Sequence, residues 1–134
     1  MNLKTLLLVP LLLFVSGCPL SPLERKAYDT VVGAKAFLDS EKKSHPECAY
    51  PATGPSANVT VTWCANINKG IASKDLLIDA ITVYCAGPVF DAPDKMGACQ
   101  PPAKGTPAYT QAQAKLQSAM NNYNQVAADL KAAK

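Results

Sequence analysis

The sequence predicts an all-α protein: a small up-down-up three-helix bundle with two long Pro/Gly-rich loops, stapled by disulfides. Three observations predict it. Apolar residues recur at steps of three and four along three separate stretches, the spacing of a single helix face. Prolines and glycines cluster between those stretches, where they break helices. Of four cysteines, one follows the first stretch, one lies near each end of the second and one lies in the loop before the third. The chain of 134 residues is 49% apolar and 17% charged. That fits one domain with its own core and argues against a wholly disordered chain.

The first helix is predicted over about 20–45. Leu20, Leu23, Ala27, Val31, Ala34 and Leu38 lie on one face. Ser21 followed by Pro22 supplies an N-cap and a proline suited to the first turn. Arg25 with Asp29, and Lys35 with Asp39, stand one turn apart on exposed flanks. Lys42 and Lys43 suit the negative end of the helix dipole, and Pro46 stops the helix. His45, Pro46 and Glu47 then read as a solvated helix end. Pro46, Pro51, Gly54 and Pro55 mark the first loop.

Val59 to Trp63 alternates apolar and polar residues, a strand signal when read alone. Cys64, Ile67, Ile71, Ile78, Ile81 and Cys85 continue at helical spacing, and a lone strand would lack a partner. One helix over about 60–85 is therefore expected, with its start open by several residues. Its second half is apolar nearly all round and is expected to be the most buried. Asp75 and Asp79, one turn apart beside Lys74, read as a solvated face rather than a carboxylate pair. The second loop, 86–106, holds Gly87, Pro88, Pro93, Gly97, Pro101, Pro102 and Gly105. Thr106-Pro107 opens the third helix. Its inner face is Tyr109, Ala112, Leu116, Met120, Tyr123, Ala127, Leu130 and Ala133, and its outer face is rich in Gln and Asn.

The first 17 residues stand apart from the fold. Lys4 precedes the 10-residue apolar run Leu6 to Val15, too short for the roughly 20 residues a membrane span needs and suited to a cleaved export signal. Val15-Ser16-Gly17-Cys18, directly after that run, resembles the lipobox of bacterial lipoprotein precursors. The resemblance covers residues 1–18 only. It implies that Cys18 carries a diacylglyceryl group and becomes the first mature residue. It also implies a division into a cleaved signal peptide (1–17), a lipidated tether (18–22) and a single helical domain (23–134). Pro19 is not the Asp that favours inner-membrane retention. The implied location is therefore the cell envelope, on the periplasmic face of the outer membrane if the host is Gram-negative. The membrane is the implied partner.

Four cysteines remain after Cys18: Cys48, Cys64, Cys85 and Cys99. An even count in an exported domain reads as two disulfides. Cys64 and Cys85 lie about 31 Å apart along one helix, beyond the roughly 7 Å reach of a disulfide. Cys48–Cys64 with Cys85–Cys99 is preferred, and Cys48–Cys85 with Cys64–Cys99 is the other possibility. No C-x₂-C pair is present and there is one histidine, so no metal site is expected.

Composition excludes more than it identifies. A net charge of +3 without clustering argues against nucleic-acid binding. No G-x-S-x-G or H-E-x-x-H motif occurs, and no catalytic residue or cofactor is expected. The expectation is a non-catalytic binding or scaffolding module whose partner is an envelope protein or glycan. The alternative is an inhibitor or immunity-type protein that blocks an incoming enzyme or phage component, with loop 86–106 as its inserting element.

Overall fold

The computed structural model describes residues 20–48, 62–87 and 99–133. These form three helices and no strand: α1 (Pro22–Ser44), α2 (Thr62–Tyr84) and α3 (Pro107–Ala132). The signal segment 1–17, Cys18, residues 59–61 and most of both loops lie outside the described residues.

α1 and α3 begin where side chains satisfy orphan backbone donors. The Ser21 hydroxyl accepts from the Glu24 N–H at 3.3 Å, and the Glu24 carboxylate accepts from the Ser21 N–H at 2.9 Å. This is a complete capping box, with Pro22 in the first turn. At α3, the Thr106 hydroxyl accepts from the Tyr109 N–H at 3.2 Å and donates to the Ala103 carbonyl at 2.7 Å. At α2, Thr62 and Trp63 are already helical, so the alternating pattern there does not persist as a strand through them.

α2 ends differently. Ala86 adopts a left-handed φ of +56°, which lets the Gly87 N–H donate back to the Thr82 carbonyl at 3.0 Å. The pattern is that of a Schellman C-cap, but the left-handed position holds alanine and glycine follows it. The Gln100 N–H then donates to the Cys85 carbonyl at 3.1 Å, fixing the chain leading into α3.

α2 packs against both other helices, while α1 and α3 meet sparingly. The core is built from Ala27, Val31, Ala34 and Leu38 of α1, from Ile67, Leu77, Ile81 and Tyr84 of α2, and from Leu116, Met120, Tyr123 and Leu130 of α3. The expected inner faces of α1 and α3 are thus buried along their middles, while Leu20, Leu23 and Tyr109 near the helix starts are half-buried and Ala133, past the end of α3, is exposed. The second half of α2 is not buried all round: Leu76 and Val83 are 57% and 61% exposed. Two neighbouring helices cover only part of its circumference.

Cys48 bonds Cys64 and Cys85 bonds Cys99, with Cα atoms 5.4 and 4.4 Å apart. The first bridge joins the end of α1 to the start of α2. The second joins the end of α2 to the segment before α3.

Candidate functional site

The end of α1 and the start of α2 frame a groove of about 350 Å³ lined by Glu41, Ser44, His45, Trp63 and Ala133. It gathers the chain's one histidine and one tryptophan. Local structure explains how. His45 is the C-cap residue of α1, its N–H donating to the Glu41 carbonyl at 3.0 Å. Trp63 sits one residue before Cys64, so the Cys48–Cys64 bridge holds the two rings in reach. Their centroids are 4.8 Å apart at 46°.

The groove is polar at its rim. His45 Nδ1 lies 2.8 Å from Glu47 Oε1. The Glu47 carboxyl is held below the usual carboxylate range, first by a backbone hydrogen bond and then by His45. Glu41 is 3% exposed, and the Trp63 indole nitrogen has no hydrogen-bond partner among the described residues. The Ser44 hydroxyl donates to the Ser40 carbonyl at 3.0 Å, within its own helix. An indole, an imidazole and carboxylates around one concavity can stack against and hydrogen-bond a polar or cationic group. The solvated helix end expected around His45 is therefore half-buried against Trp63.

A second concavity of about 360 Å³ runs between α1 and α3, lined among others by Asp29, Gly33, Phe37, Tyr123, Ala127 and Lys131. It follows from the sparse contact between those helices. The Lys131 ammonium sits 5.3 Å from the centre of the Phe37 ring and caps one end of it.

At the opposite end of the molecule, three helix termini meet around a buried polar cluster. The Tyr84 hydroxyl donates to Glu24 Oε1 at 3.4 Å, and the Tyr84 and Tyr109 rings lie 6.1 Å apart. Burial and the neighbouring Tyr109 and Glu24 push the Tyr84 hydroxyl well above its ordinary pKa.

Of the residues singled out in the sequence, Cys48, Cys64, Cys85 and Cys99 all lie in disulfides. Cys18, the expected lipid attachment point, and residues 88–98 of the proposed inserting loop lie outside the described residues. Asp75 pairs with Lys74 at 2.8 Å, and Asp79 is exposed. No group of three potential metal ligands occurs among the described residues, and no described helix is long and apolar enough to cross a membrane. Sequence reasoning missed the buried acids Glu24 and Glu41 and the buried Asn68. A capping-box spacing from Ser21 to Glu24 was the available signal for the first. Nothing local marks the other two. The chain matches no known family model, no curated protein and no solved structure.

Proposed function

We propose that the chain is a lipid-anchored, non-catalytic module of the bacterial envelope. Cys18 carries the lipid, residues 18–22 are the tether, and residues 23–134 form an up-down-up bundle that binds or scaffolds another envelope component, a protein or glycan. It uses no cofactor and binds no nucleic acid. The observation that carries this reading is the sequence Val15-Ser16-Gly17-Cys18 directly after a short apolar run. The two disulfides support it, because such bonds persist in oxidising compartments. So does the arrangement of ends. α1 starts four residues after Cys18, and its 23 residues carry the His45–Trp63 groove about 35 Å from that start. A partner approaching from the envelope space would meet the groove before the bilayer.

The test is the intact mass of the membrane-extracted protein, with and without reductant, beside a Cys18→Ala variant. The expected mass is that of residues 18–134 plus a diacylglyceryl group, rising by four hydrogens when both disulfides are reduced. An unlipidated chain cut elsewhere refutes the anchor. Cross-linking in intact envelopes, compared with Trp63→Ala, then identifies what the groove touches.

A further inference from the structure

Among the described residues, the end of the bundle where α1 begins carries three exposed cations. Arg25 and Lys26 are exposed in the first turns of α1, and Lys104 is exposed two residues before the cap of α3. The Tyr84 contacts to Glu24 and Tyr109 bring these two helix starts to the same end of the molecule. The acid nearest to them, Glu24, is 6% exposed and turned inward, where it accepts from Ser21 and Tyr84. Among the described residues, the next acids are Asp29, one turn on from Arg25, and Asp79, both exposed.

We propose that this end rests on anionic phospholipid headgroups, with Arg25, Lys26 and Lys104 as the contacting cations. The inference rests on the lipid anchor at Cys18. Four residues from Cys18 to Pro22 can span at most about 14 Å, so an anchored chain keeps the start of α1 within that distance of the bilayer. Exposed cations there lie inside or just beyond the roughly 8–10 Å Debye length of physiological salt. Each basic side chain near an anionic surface favours the contact about fivefold. The tether already holds the domain at high local concentration, so three such contributions suffice to fix its orientation without free-standing affinity. Resting on this end turns the His45–Trp63 groove away from the membrane.

The experiment reconstitutes the full-length lipidated protein into vesicles of zwitterionic lipid alone and of zwitterionic lipid with about one-third anionic lipid. Lysine acylation, read by mass spectrometry, compares Lys26 and Lys104 with Lys43 and Lys131 at the far end of the same molecule. The expected result is acylation of Lys26 and Lys104 slowed about threefold or more on anionic vesicles at low salt, with the far lysines unchanged. High salt should restore the rate. Equal rates on both vesicles overturn the proposal. The intact mass of the same sample reports separately whether Cys18 is lipidated. If it is not, the anchoring reading has failed and this proposal, which depends on the tether, falls with it.

Discussion

Two glycines interrupt helices among the described residues, and the structure gives them opposite consequences. Gly33 sits mid-α1 and Gly70 mid-α2. A Cβ built on Gly33 meets nothing within 4 Å. One built on Gly70 comes within 2.8 Å of Leu38 Cδ2 and 3.4 Å of Leu130 Cδ1. Gly70 is thus where α1 and α3 both press on α2, and its missing side chain lets them. Replacing a mid-helix glycine by alanine gains roughly 1 kcal/mol from propensity and the unfolded chain's lost freedom. Gly33→Ala should therefore stabilise by about 0.5–1 kcal/mol. At Gly70 the same gain is opposed by overpacking, which costs roughly 1–3 kcal/mol, so Gly70→Ala should lie between neutral and about 2 kcal/mol destabilising. Gly70→Val should be worse, because the second branch reaches Leu130 and valine is the poorer helix former. The assay is urea unfolding of the disulfide-intact protein followed by helical circular dichroism. The measured quantity is the difference between the two alanine variants, expected at about 1–3 kcal/mol. If Gly70→Ala stabilises as much as Gly33→Ala, the close approach of Leu38 to α2 is wrong.

The cap of α2 offers a converse test. Ala86 holds a left-handed φ of +56°, a conformation costing a non-glycine residue about 1–2 kcal/mol. Ala86→Gly should raise the thermal midpoint, after its own entropy cost, by the equivalent of about 0.5–1 kcal/mol, and no change would mean the turn is not left-handed in solution. Removing either disulfide by paired Cys→Ala substitution should cost about 3 kcal/mol in the chain-entropy model, since the bridges close similar separations of 16 and 14 residues. Urea midpoints measure it, and equal stability without a bridge would refute its role. Tyr84 and Tyr123 both have pKa values raised by burial. Folded tyrosines then keep protons that the unfolded chain releases above about pH 10. Stability should be fully present below that pH and fall as pH rises further. Tyr84→Phe should flatten that fall, as read from unfolding midpoints between pH 9 and 11, and an unchanged slope would count against the buried hydroxyl. Glu47 titrates low chiefly through a backbone hydrogen bond, with His45 second. His45→Ala should therefore bring its NMR midpoint only part of the way back up, and a full return would reverse that order of causes.

Helix content and inner faces were legible because they depend on local periodicity. Leu116, Met120, Tyr123 and Leu130 repeat at three and four residues and are buried together. Ser21 and Thr106 cap the helices that follow them, as short polar side chains ahead of proline do. The disulfide choice was narrowed by helix rise alone, which separates Cys64 from Cys85. The exposure of Leu76 and Val83 was not legible. It depends on how much of α2 two neighbours can cover, and periodicity does not state that.

The sequence by itself determined where α1 and α3 begin, where all three helices run, which face of α1 and α3 turns inward, and the resemblance of residues 1–18 to an export and lipidation signal. Each of these is a property of neighbouring residues within a few turns. Only the tertiary structure decided that His45 meets Trp63 across a groove, that Glu24 is buried under Tyr84, and that Gly70 lies between Leu38 and Leu130. Those contacts join residues far apart in the chain. They are fixed by the angles and offsets at which three helices pack, and no local pattern encodes them.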